Sequence, residues 1–146
     1  MSLVMAIANK NGIVMSGDRR LTIQKIYHGE TEFTNIDYAD NAQKIFMSKQ
    51  CHVFGVAGCA ISADGRYISD IVPKLLQGLD KESLSLKEEL AIIQDELAHS
   101  VANPVSILCA GIENGKNLIF RTSTDTENKE IISKTDGVYG GDAIGM

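Results

Sequence analysis

The spacing of apolar positions changes twice along the chain, from two to 3.6 and back. From Leu3 to Asn9 both alternating sets, Leu3/Met5/Ile7 and Val4/Ala6/Ala8, avoid charge, which predicts a strand covered on both faces. Lys10-Asn11-Gly12 follows. Asn-Gly is a strong short hairpin signal, so Ile13 to Ser16 is expected to return as the second strand. Thr22 to Tyr27 and Glu32 to Tyr38 alternate more weakly around the polar tip His28-Gly29-Glu30 and are expected to pair as a more exposed hairpin. Lys44 to Ser48 and His52 to Ala57 read as a further strand pair joined by Lys49-Gln50, with Gly58 ending the second strand.

Beyond Gly58 the pattern becomes helical. Ile68, Ile71, Val72, Leu75, Leu76 and Leu79 form one apolar stripe, closed by Gly78 and Asp80-Lys81-Glu82. Ser85 and Glu88 have the spacing of a capping box and open a second helix. Leu86, Leu90, Ile93, Leu97 and Val101 line one face of it, and Asn103-Pro104 stops it. The two helices are expected to lie antiparallel over a sheet. The two-residue period then returns. Val105 to Gly111 and Asn117 to Arg121 flank the turn Glu113-Asn114-Gly115-Lys116, and Lys129 to Ser133 reads as a short further strand. Helices segregated between runs of strands predict an α+β layered fold rather than alternating βαβ units.

Composition narrows the function classes. The 146 residues fit one domain, 1–146. With 14 basic and 19 acidic side chains the net charge is −5, and no basic stripe stands out, which argues against a nucleic-acid partner. No apolar run reaches the roughly 20 residues of a membrane helix. No basic segment leads into an apolar one at the start as in a secretory signal, so a cytoplasmic protein is expected. Cys51, Cys59 and Cys109 are three in number and irregularly spaced. They are expected to be reduced core thiols rather than a disulfide framework or a zinc site, and neither cofactor nor metal is implied.

Four stretches in order resemble one family, the last of them loosely. Gly12-Ile13-Val14-Met15-Ser16-Gly17-Asp18-Arg19-Arg20 resembles the G-V-V-x-A-x-D-x-R stretch of proteasome β-type subunits. Asn41-Ala42-Gln43-Lys44-Ile45 is similar to the segment that carries the family's lysine. Val56-Ala57-Gly58-Cys59-Ala60-Ile61-Ser62-Ala63-Asp64 is similar to its strand-to-helix A-G-x-x-x-D junction. Tyr139-Gly140-Gly141-Asp142 is loosely similar to a later glycine-rich loop. The resemblance is to N-terminal-nucleophile (Ntn) hydrolases and implies a four-layer αββα sandwich, with residues of about 21–43 as a β-insert beside the cleft. The family's C-terminal helices and strands would have no counterpart here. One sheet would then lack its outer cover, through truncation, through a partner that supplies it, or because the open side is an interface.

The same resemblance implies a chemistry. A leading Thr, Ser or Cys attacks a substrate carbonyl while its freed α-amine accepts the proton; an α-amine with a pKa of about 7.7–8.0 is suited to that task. In the family's register the nucleophile falls on Ser2, exposed by removal of Met1. Lys44 would be the tuning ammonium, Asp18 the carboxylate that orients it, and the N–H of Gly58 the oxyanion donor, with Asp142 a candidate neighbour. Each residue has a plainer reading. Met1-Ser2-Leu3 matches a common expression-vector lead, Lys44 is a strand-edge lysine, Asp18 pairs with Arg19 or Arg20, and Gly58 lets a helix pack closely. The expected activity is cleavage of peptide or amide bonds by a homo-oligomer. The alternative is a catalytically silent structural or assembly subunit of the same fold.

Overall fold

The computed structural model describes residues 3–19, 21–24, 36–39, 42–58, 61–79, 83–125, 132–134 and 137–141. The elements run β1 (Val4–Asn9), β2 (Gly12–Gly17), β3 (Leu21–Gln24), β4 (Ile36–Ala39), β5 (Ile45–Met47), β6 (Val53–Gly58), α1 (Ile68–Gly78), α2 (Leu86–Ser100), β7 (Val105–Glu113), β8 (Lys116–Ser123), β9 (Ile132–Lys134) and β10 (Gly137–Gly141). The α+β order of strands, two helices and strands is as expected. Strands β5-β6-β7-β8-β9 form a five-stranded sheet, β10-β1-β2 a three-stranded one and β3-β4 a separate pair. Every strand pairing is antiparallel.

Local chemistry accounts for the element ends. Asn114 and Gly115 both have positive φ, at 51° and 74°, the conformation that a two-residue hairpin turn needs to match strand twist. They join β7 to β8 in the register Glu113↔Lys116. At the start of α2 the Ser85 hydroxyl accepts the Glu88 N–H at 3.2 Å, and a Glu88 carboxylate oxygen accepts the Ser85 N–H at 2.7 Å. The expected capping box is therefore complete.

The five-stranded sheet is covered on both faces, and each face has its own core. On one side Phe46, Phe54, Val56, Ile107 and Cys109 meet the apolar stripes of both helices, Ile71, Val72 and Leu76 from α1 and Leu86, Leu90, Ile93 and Leu97 from α2. On the other side Ala57, Leu108, Ala110 and Ile119 pack against Val4, Ala6 and Ala8 of β1, with Ile13 and Met15 of β2 alongside. Small side chains on β1 let the two sheets come close. Gly55 matters most: a Cβ there would sit 2.3 Å from Val4 Cγ1 and 3.0 Å from Met15 Sδ, so any larger residue would force the sheets apart.

Two expectations need correction. The opening strand is not covered on both faces by the described residues. Its Val4/Ala6/Ala8 face is buried, but Leu3 and Ile7 are each 40% exposed and Val14, paired with Ile7, is 67% exposed. An uncharged alternation is compatible with one buried and one bare face, because it says nothing about what the second face meets. Segment 137–141, which was not expected to be a strand, forms β10 and pairs with β1 from Val4↔Gly141 to Ala8↔Gly137. Glycine-rich sequence gives no period-two signal, so only the neighbouring strand reveals it. Of the 22–27 and 32–38 hairpin, the paired ends β3 and β4 are seen; residues 25–35 lie outside the described residues.

Candidate functional site

Asp18 follows directly on β2, opposite the residue that precedes β1. Its N–H donates to the Leu3 carbonyl at 3.0 Å and its Oδ1 accepts the Leu3 N–H at 3.3 Å. The ladder thus continues one pair beyond Val4↔Gly17, and the second bond of that pair is made by a side chain. The same Oδ1 accepts from Lys44 Nζ. Lys44 is brought there by the strand it precedes: its carbonyl accepts the Val56 N–H at 2.9 Å, and one turn of chain earlier the Ala42 N–H donates to the Arg19 carbonyl at 3.0 Å. The lysine is buried to 9% exposure, and the Asp18 side chain is 35% exposed. The pair is therefore a rim feature with a shielded cation and a solvent-touched anion.

Gly58 ends β6 two residues past Val56. Antiparallel pairing turns alternate residues of β6 to opposite neighbours. His52 and Val56 bond to β5, so the N–H of Gly58 turns to the same side, just beyond the last β5–β6 bond. Its φ is +118°, and a Cβ would lie 2.8 Å from the Pro104 carbonyl oxygen. Glycine is required there on both counts.

Three of the four sequence-derived site residues, Asp18, Lys44 and Gly58, therefore gather at one end of the two sheets. Asp18 and Lys44 touch, and Gly58 is linked to Lys44 through Val56. The fourth, Ser2, lies outside the described residues, as do Asp142 and Cys59. The Asp18 carboxylate faces Lys44 and the Leu3 N–H. Asp64, in the segment matched to the family's junction, turns inward on its own loop: the Ser62 hydroxyl and Arg66 Nε, the latter at 2.7 Å, hold its carboxyl below the usual carboxylate range.

A second polar cluster sits at the opposite end of β6 and was not foreseen. His52 Nδ1 lies 2.7 Å from Glu89 Oε2, and its Nε2 lies 3.7 Å from Glu113 Oε1. Glu113 Oε1 also accepts the Leu86 N–H at 2.5 Å. Glu89 is 1% exposed and His52 5%. A signal was present in the sequence: Glu89 falls three residues after Leu86 and next to Leu90, on the apolar stripe of α2, where an acid requires a buried partner. The thiol expectation divides. Cys109 is buried, and burial pushes its thiol well up, with Glu89 and Glu113 adding to the effect. Cys51 is exposed, at a turn position with φ 62°, and is not a core residue.

Among the described residues no group of three His, Cys, Asp or Glu side chains is placed to hold a metal ion, and no helix is long and apolar enough to cross a membrane. No protein-family model, curated protein or solved structure matches the chain.

Proposed function

We propose that the protein is an Ntn hydrolase of the proteasome-like kind, cleaving peptide or amide bonds with Ser2 as nucleophile. The observation that carries this reading is the double engagement of Asp18, whose one carboxylate oxygen receives both the Lys44 ammonium and the N–H of Leu3, the residue directly after Ser2. In the proposed reaction Met1 is removed and the α-amine of Ser2 is freed. Ser2 Oγ adds to the substrate carbonyl carbon as its proton passes to that amine. The Gly58 N–H holds the developing oxyanion, an interaction worth about 2.7–4 kcal/mol in a protease where it was removed. Collapse returns the proton to the leaving amine and leaves an ester on Ser2. Water then attacks the ester, releases the acid and restores the hydroxyl. Lys44 lowers the cost of negative charge near Oγ throughout, and Asp18 fixes its position. In this proposal the two stacked sheets and the helical layer are three layers of an αββα sandwich.

The test joins mass spectrometry of the mature amino terminus with peptide hydrolysis by wild type and Ser2→Ala. A chain starting at Ser2, with hydrolysis lost in the variant, is expected. Equal hydrolysis by both overturns the assignment.

The partly exposed apolar face of β1 and β2, on which Leu3, Ile7 and Val14 reach solvent, favours a second reading, an assembly subunit without hydrolytic activity. Contiguous exposed apolar surface marks association. Light scattering over a dilution series separates the two: a monomer at every concentration with robust hydrolysis rules out the assembly role, and an inactive oligomer supports it.

A further inference from the structure

Thr124 lies just past β8 and completes the β7–β8 ladder with its side chain. The strand register ends at Ser106↔Ser123. One step further the Thr124 N–H donates to the Val105 carbonyl at 2.9 Å. The return bond of that pair is made by a side chain: the Val105 N–H donates to the Thr124 hydroxyl oxygen at 2.8 Å. Val105 is fully buried and Thr124 is 7% exposed, so loss of the hydroxyl would leave a buried donor unpaired. The end of β8 is itself held by α2, where Gln94 Nε2 donates to Thr122 Oγ1 at 2.7 Å and to the Ser123 carbonyl at 2.9 Å.

The Val105 N–H belongs to the same peptide unit as the Pro104 carbonyl. Among the described residues no peptide bond is cis, and in a planar trans unit the N–H and the C=O point in opposite directions. A hydroxyl that fixes the N–H on the β8 side therefore aims the carbonyl at the β6 side. There it meets Gly58, the Cα partner of Val105. A Cβ on Gly58 would lie 2.8 Å from the Pro104 oxygen and 3.3 Å from Val105 Cα, so only a hydrogen fits beneath the carbonyl. Gly58 takes its φ of +118° at this contact. That angle is the rotation about its N–Cα bond, so whatever holds it also holds the direction of the Gly58 N–H.

We infer that Thr124 is a positioning residue for the oxyanion donor and acts through the Pro104–Val105 peptide unit; the inference rests on the proposed role of the Gly58 N–H. The hydroxyl fixes the Val105 N–H, the carbonyl of the same unit closes over Gly58, and the Gly58 N–H is held in one direction. The effect falls on the transition state. An oxyanion forms only after attack, so a slack donor lowers kcat and leaves substrate binding unchanged.

The test is hydrolysis by the full chain of the best-cleaved member of a panel of fluorogenic peptide amides, with kcat and KM separated. Thr124→Val keeps the shape and removes the acceptor. It is expected to lower kcat about tenfold to a hundredfold with KM little changed. Thr124→Ser and Thr124→Cys form a matched pair that differs only in the acceptor atom, strong in one and weak in the other. Serine should keep most of the wild-type kcat and cysteine should lose it as valine does, which keeps the question open to decision if the valine variant does not fold. Backbone NMR adds a readout apart from activity. The Gly58 amide shift should move in Thr124→Cys and stay in Thr124→Ser, while the Ile93 amide of α2 stays in both. A folded valine or cysteine variant with the wild-type kcat overturns the inference. So does a loss shared equally by serine and cysteine, which would point to the missing methyl group. An inactive wild type overturns the proposed function and the role of Thr124 with it. An active wild type, silenced by Ser2→Ala and untouched by Thr124→Cys, removes Thr124 alone.

Discussion

The Lys44 ammonium donates to the Asp18 Oδ1 that also receives the Leu3 N–H, so one carboxylate ties the start of β1, the end of β2 and the approach to β5 together. The pair is half sheltered, with the cation buried and the anion partly wet. Its worth therefore lies between that of a surface ion pair and a buried one. Lys44→Met is expected to cost about 1–2 kcal/mol of stability in denaturant titration. Under the proposed function it should also lower kcat at least about a hundredfold, while Lys44→Arg restores stability better than activity, because a planar guanidinium is not a compact point charge. Retention of full hydrolysis by a folded Lys44→Met protein would remove the lysine from the mechanism.

Gly58→Ala should destabilise the fold by about 1–3 kcal/mol, the usual cost of a side chain held in a sparsely populated backbone region. The positive φ and the approach of the Pro104 carbonyl act together here. The thermal midpoint measures it. A midpoint equal to wild type would mean that the β6 end relaxes without cost.

The His52–Glu89 contact joins the start of β6 to the first turn of α2 in a fully enclosed setting. Removing either partner leaves the other buried without it, so Glu89→Ala is expected to cost about 1–3 kcal/mol. A double-mutant cycle over His52→Ala and Glu89→Ala should return a coupling of about 0.5–3 kcal/mol. Simple additivity would show that the two do not interact.

Ser85→Ala should cost about 0.5–2 kcal/mol through loss of the cap on α2. The backbone N–H of Ser85, with help from its hydroxyl, holds the Glu88 carboxyl below its ordinary value of 4.5. A carboxyl depressed in the folded state stabilises it at pH above that ordinary value, and the contribution fades as pH falls through the lower, folded value. Wild type should therefore lose more of its thermal midpoint between neutral pH and pH below 4.5 than Glu88→Gln does. Parallel pH profiles would sever the link between the cap and the acid response.

Part of the candidate site was marked out before the fold. Asp18, Lys44 and Gly58 were singled out by the resemblance of their stretches to one family, and the structure sets Lys44 against Asp18 and ends β6 with Gly58 on the same side of the sheets. The Glu89 partner was not, although its place on an apolar stripe hinted at one. A stripe shows which face is buried and does not show what waits on the other side.

Local rules alone set several features of this protein. The Ser85 and Glu88 spacing dictates the α2 cap, Asn114-Gly115 dictates the β7–β8 turn, and the apolar stripes dictate two helices on a sheet. These depend on contacts within a few residues, and such contacts are written in order along the chain. Tertiary packing decided the rest: β10 beside β1, Gly55 beneath Val4, His52 against Glu89, and one bare face on the opening strand. The first three join segments far apart in sequence, and closing such distances is settled by shape and burial, which periodicity does not record.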